Sequence, residues 1–159
     1  MEADDILAIV RAFNEQGVGY VLIGGVAVNV HGIVRATEDV DFLIDPGREN
    51  IARIRAALRS LFDDDAIEEI TAPEVARYAV IRYGPPSGSF YIDLLGRIGE
   101  AFRFGDVESE TVEVEGVPVN VATPRALYRM KRGTLREKDR QDAVALRTRF
   151  ALDVEGEGG

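Results

Sequence analysis

Asp39-Val40-Asp41 and Asp93 carry the clearest chemical potential in this 159-residue chain. Asp39 and Asp41 are spaced i, i+2 in "EDVDFLI", and residues so spaced on a strand project to one face. Val40, Phe42 and Ile44 then point the other way, into a core. Two carboxylates about 6.6 Å apart, at ~3.3 Å rise per residue, repel unless something positive lies between them. A divalent cation with oxygen ligands supplies that charge. Asp93 lies in "FYIDLLG", an apolar strand where a charge is costly unless paired or metal-bound. Three aspartates on two strands make a candidate two-metal cluster. The competing reading leaves Asp39 and Asp41 in water and pairs Asp93 with Arg77 or Arg82 on its hairpin partner.

Composition narrows the metal chemistry. Cysteine is absent, which removes disulfides and zinc–thiolate sites, and the single histidine, His31, removes any multi-histidine site. Oxygen ligands favour magnesium or manganese. His31 itself, alone near a turn, reads first as a structural hydrogen-bonder.

Gly24-Gly25 form the second feature. A backbone without Cβ can approach a ligand closely, and a helix starting there offers N–H groups and positive dipole to a phosphate. The same two glycines also suit a tight strand-to-helix turn with no ligand. They fit neither the phosphate loop ending in Gly-Lys-Ser/Thr nor the GxGxxG of dinucleotide sites.

The elements that must position these residues follow from periodicity. Residues 3–16 carry Ile6, Leu7, Ile9, Val10 and Phe13 at helical spacing, and Gly17 and Gly19 stop the helix. Tyr20–Ile23 is a β-prone run, Val26–His31 a short helix, and Glu38–Ile44 a second strand. Asp45 is the expected N-cap of a helix with Pro46 in its first turn and Ile51, Ile54, Leu58 and Leu61 as its apolar stripe. Three aspartates at 63–65 mark a solvated loop. Strands are expected over Val75–Tyr83 and Ser89–Leu95, joined by the turn-forming 84–88, then a hairpin of 111–115 and 117–121 about Gly116. Thr123-Pro124 opens the first of two helices, over 124–132 and 136–149. The order predicts a mixed α/β domain on one sheet, spanning residues 1–150, with 151–159 a frayed tail.

The net charge of −9 is uneven. Residues 1–121 hold 10 basic and 22 acidic side chains, whereas residues 125–149 hold 9 basic and 3 acidic. The basic segment is either a solvated helix face or a surface for phosphates of a nucleotide or RNA. Overall acidity argues against a strong general nucleic-acid binder. No apolar run approaches the ~20 residues of a membrane span, and no signal-peptide pattern opens the sequence, so a cytoplasmic protein without membrane association is expected.

The Gly-Gly turn, "RATEDVDFLID" about a dozen residues on and the distal "YIDLL" together resemble the nucleotidyltransferase superfamily of DNA polymerase beta type. Within it the chain looks most like minimal bacterial nucleotidyltransferases and abortive-infection toxins of AbiEii type. Their "GG…HG…R.T.DhDhhh" pattern is matched by Gly24, Gly25, His31, Gly32, Arg35, Thr37, Asp39 and Asp41. Their later Lys…Lys/Arg-Asp-x-x-Asp region is similar to "RMKRGTLREKDRQDAVAL", through Lys131, Lys138, Asp139 and Asp142.

The resemblance implies a mixed sheet flanked by helices and transfer of a nucleoside monophosphate from an NTP to a hydroxyl on RNA, protein or a small molecule, within a toxin–antitoxin system. It implies Mg2+ or Mn2+ on Asp39, Asp41 and Asp93, β/γ-phosphates against Gly24 and Gly25, and phosphate contacts from Arg35, Thr37, Lys131 and Lys138. A partner protein or homo-oligomer fits the same picture. Two rival readings are a regulatory module that keeps the fold without turnover, and a cation- or phosphate-binding domain with no transfer chemistry. Retention of all three aspartates favours the enzyme.

Overall fold

The computed structural model describes residues 3–32, 38–86, 88–100, 102–131 and 137–152. Its centre is a six-stranded mixed sheet in the order Ile81–Tyr83, Tyr91–Leu95, Asp39–Ile44, Tyr20–Ile23, Val117–Ala122, Ser109–Val114. Helix α1 (Ala3–Glu15) turns its Leu7, Ile9, Val10 and Phe13 stripe inward and leads to β1 (Tyr20–Ile23). Helix α2 (Gly24–Val30) starts at once from β1, and β2 (Asp39–Ile44) pairs antiparallel with it. Phe42 packs at a ring-centroid distance of 4.9 Å from Phe13 and 5.6 Å from Tyr20, so α1 covers the sheet face opposite Asp39 and Asp41. Helix α3 (Arg48–Leu61) packs beside α1.

Two expectations change at α3. Its N-cap is Gly47 rather than Asp45, because the Asp45 carboxylate instead accepts the Gly47 N–H at 2.9 Å and shapes the turn before the helix. Ile51, Ile54 and Leu58 are fully buried, but Leu61 lies at the solvent edge of the stripe. Asn50, buried in the first turn, holds the Gly19 N–H (2.7 Å), the Gly19 carbonyl (3.0 Å) and the Asp45 carbonyl (2.8 Å). It ties the start of β1 to the end of β2, a role that an asparagine in a helical stretch does not announce.

The triple aspartate contributes more than a solvated loop. Asp64 caps a 3-10 turn over Asp65–Glu69, and its other oxygen accepts from the Tyr83 hydroxyl at 2.8 Å. The expected strand over Val75–Tyr83 begins as helix and is irregular over 78–80. Helix α4 (Ala72–Arg77) is capped by the Thr71 hydroxyl and has Pro73 in its first turn, so local capping overrides the β-prone side chains. Only β3 (Ile81–Tyr83) remains as strand. It pairs antiparallel with β4 (Tyr91–Leu95), which lies parallel to β2.

Beyond β4, a two-stranded ribbon of β5 (Arg97–Ile98) and β6 (Phe102–Arg103) was not expected from the sequence. The hairpin of β7 (Ser109–Val114) and β8 (Val117–Ala122) turns about Gly116 as predicted, and β8 runs parallel to β1. Helix α5 (Pro124–Lys131) is capped by Thr123 and packs on α6 (Glu137–Phe150). Residues 153–159 lie outside the described residues. Among the described residues no helix is long and apolar enough to cross a membrane.

Candidate active site

Sheet register brings the aspartates together. Asp41 is the direct neighbour of Asp93 across β2 and β4, and Asp39 is the neighbour of Tyr91 one pair along. Asp39, Asp41, Tyr91 and Asp93 therefore share one face, while Val40, Phe42, Ile92 and Leu94 are fully buried on the other. One carboxylate oxygen from each aspartate lies within 4.8 Å of the other two. Asp39 and Asp41 are half-buried and Asp93 is 4% exposed. An all-oxygen donor set converging this tightly suits a hard divalent cation, and the chemistry of the residues fits magnesium or manganese.

Asp93 belongs to two arrangements at once. It sits in the carboxylate cluster and is also paired with Arg82, its register partner on β3. Arg82 donates from Nε to Asp93 Oδ1 at 2.8 Å and from Nη2 to Asp93 Oδ2 at 2.9 Å, and Nη2 reaches Asp39 Oδ2 at 3.1 Å. The guanidinium lies 4.7 Å from the centre of the Tyr91 ring. The Asp93 hydrogen bonds and charge, with a smaller contribution from Asp39, hold Arg82 protonated even above its ordinary range. Arg77, the other candidate partner, lies over Tyr78 instead.

Gly24 adjoins the same cluster. Its φ is +72°, a left-handed conformation that favours glycine, and a Cβ there would overlap Asp41 Oδ2 and come 3.0 Å from Asp41 Cγ. Gly24 thus lets the backbone pass against a site carboxylate, whereas the close approach expected of it was to a ligand. Gly25 is buried in the first turn of α2. His31 ends that helix, and its Nε2 lies 2.8 Å from the Ala122 carbonyl, with Phe150 edge-on to the ring. That is the structural role expected of it.

The remaining candidates are less fully placed. Arg35 and Thr37 lie outside the described residues. Lys131 ends α5 and Lys138 lies in the first turn of α6. Asp142 is buried on α6, and Asp139 lies on the same helix. The sequence offers Arg82 only as a possible salt-bridge partner of Asp93 and does not announce its reach to Asp39. The signal available was the Arg82–Asp93 hairpin pairing; the missing fact was that β2 lies on the far side of β4. Of the tyrosines, Tyr83 is core, whereas Tyr91 on β4 and Tyr78 at the end of α4 are exposed.

A mixed sheet with a glycine turn against a two-strand aspartate triad defines the nucleotidyltransferase fold, and solved structures agree. The lincosamide antibiotic adenylyltransferase LnuA, solved with lincomycin bound, superposes with a TM-score of 0.61 at 16% identity, over 93% of this chain and 98% of that one. An antigenic nucleotidyltransferase-like protein from Paracoccidioides brasiliensis gives 0.56 at 16%, over 92% and 77%. A Thermotoga maritima protein assigned as a nucleotidyltransferase gives 0.55 at 14%, over 95% and 96%. No curated protein matches the chain in sequence. Residues 5–145 match the family described as nucleotidyl transferase AbiEii toxin, type IV toxin–antitoxin system, and the chain belongs to that family. It is an enzyme of the nucleotidyltransferase class.

Proposed function

We propose that this protein transfers a nucleoside monophosphate from an NTP to a hydroxyl of RNA, protein or a small molecule, with Mg2+ or Mn2+ held by Asp39, Asp41 and Asp93. The observation that carries the proposal is the convergence of three carboxylates, from two strands that are not consecutive in the chain, at one end of the β1–α2 glycine turn. The acceptor oxygen bonds to the α-phosphorus, the bond from that phosphorus to the bridging oxygen breaks, and pyrophosphate leaves with the electron pair. A divalent ion supplies charge neutralisation and a lowered hydroxyl pKa.

The chain's own residues do the positioning. Asp39 and Asp41 orient the triphosphate end of the site. Asp93 takes the acceptor's proton or holds the cation beside it; the Arg82 fork uses one lone pair on each of its oxygens and leaves the others available. Gly24 and Gly25 line the approach of the β/γ-phosphates. Arg35, Thr37, Lys131 and Lys138 add cationic and hydroxyl contacts to phosphate. Residues 1–150 act as one catalytic domain in the cytoplasm, where NTP and magnesium are supplied.

The test is incubation with each α-labelled NTP and magnesium, followed by assay of released pyrophosphate and of label on RNA, protein or added small hydroxyl compounds. The wild type should transfer label and Asp41→Asn should not. Equal transfer by both would place the chemistry elsewhere.

A further inference from the structure

We propose that Arg82 is an exchangeable cation of the carboxylate centre: its guanidinium competes with a divalent ion for Asp39 and Asp93 and must leave Asp39 before the centre is fully loaded. This rests on the reading of Asp39, Asp41 and Asp93 as the metal site.

The geometry is more than that of a structural partner for Asp93. A fork-to-fork pair would satisfy Asp93 alone, yet Nη2 is shared with Asp39 on the next strand but one. The side chain reaches there by crossing Tyr91, whose ring carries the guanidinium on its face. One arginine thereby holds two of the three carboxylates through three hydrogen bonds. Three carboxylates carry three negative charges; Arg82 and one divalent ion balance them. A second divalent ion overloads the site with positive charge; withdrawal of Arg82 relieves part of that excess, and a triphosphate relieves the rest.

Arg82 is built to withdraw. It lies in the middle of a three-residue edge strand, and its side chain is 52% exposed although its partner Asp93 is buried. Beside it opens a groove of about 600 Å3 whose walls include Glu69, Glu74 and Tyr78. The groove gives the guanidinium room to swing, and the two glutamates give it an alternative anionic surface. Its charge stays next to the position where an NTP must arrive.

The experiment is titration of the full chain with Mn2+, without nucleotide, reading free Mn2+ by electron paramagnetic resonance. Wild type, Arg82→Gln, Arg82→Lys and Asp41→Asn are compared. Arg82→Gln should bind Mn2+ at least about fivefold more tightly than wild type. Arg82→Lys keeps the charge but loses the fork, so it should bind more tightly by a smaller factor; it also serves as the test if the glutamine variant does not fold. Unchanged or weaker Mn2+ binding in these variants, with normal uptake by wild type, overturns the exchange and leaves the metal site standing. Wild-type uptake no greater than that of Asp41→Asn removes the metal site, and the exchange with it.

Discussion

The Arg82 guanidinium meets the Asp93 carboxylate fork to fork, with both nitrogen–oxygen distances below 3 Å, although one partner is half exposed and the other buried. The stability of the site therefore depends on a balance. Asp93→Asn removes a charge from a crowded carboxylate cluster, which stabilises, and leaves Arg82 with a poorer partner, which destabilises. Because Arg82 can turn to solvent, the cost stays well below that of orphaning a buried charge. A denaturant melt should show a net loss of no more than about 2 kcal/mol, with transfer activity abolished. A larger loss would mean that Arg82 has no solvated alternative.

Gly24 and Gly17 provide an internal comparison. Both have positive φ, +72° and +69°, but a Cβ on Gly17 meets nothing within 4 Å whereas one on Gly24 meets Asp41. Alanine at Gly17 should cost roughly 1 kcal/mol, the left-handed backbone penalty alone. Alanine at Gly24 should cost about 1–2 kcal/mol more and should abolish transfer by displacing Asp41. Thermal melts of the two variants, with the assay on each, measure the difference. Equal costs would show that Asp41 moves aside freely.

His31 should matter to stability and not to chemistry. Its Nε2 proton satisfies the Ala122 carbonyl at the end of β8. Alanine there should cost about 1–2 kcal/mol with a transfer rate per folded molecule close to that of wild type. A large loss of rate in a folded His31→Ala protein would assign the histidine to the site.

Tyr83 links the fold to alkaline pH. Burial first, then the hydrogen bond and charge of Asp64, push its hydroxyl above the ordinary value of 10.0. The neutral form is favoured by folding, so this contribution is present in full below pH 10 and is lost as pH rises from there through the raised folded value. Tyr83→Phe should flatten the fall of stability in that window and cost about 1 kcal/mol at neutral pH, where the bond to Asp64 is lost. Denaturant melts at pH 8 to 11 (an expected range of about three units around the free tyrosine value) check both. An identical alkaline slope in both proteins would remove Tyr83 as its source.

How far the sequence discloses these features depends on the range of the interaction behind each. Asp39 and Asp41 were legible because strand periodicity is local, and so was the hairpin about Gly116. Thr123-Pro124 announces its helix locally, but the Thr71 cap, with Pro73 just inside the next helix, is masked by the β-prone run from Val75 to Tyr83. The Asp45 misassignment is of the same kind: its carboxylate serves the turn at Gly47 rather than the helix. Asp93 was singled out by its cost in an apolar strand, yet its position opposite Asp41 depends on which strand lies between which. That order is set by packing of the whole sheet. The reach of Arg82 to Asp39 and the strap made by Asn50 depend on it too, which is why neither was foreseen.

The parallel pairing of β2 with β4 has a consequence for the time at which the protein becomes competent. Between Asp41 and Asp93 the chain must first make α3, α4 and β3, and β1 finds its other neighbour only in β8. A ribosome that has released β2 has made two of the three carboxylates and no centre, and contacts this distant in sequence close late in folding. The nascent chain therefore has no assembled carboxylate centre: the site is withheld until most of the chain has been synthesised and the sheet has closed around the aspartates.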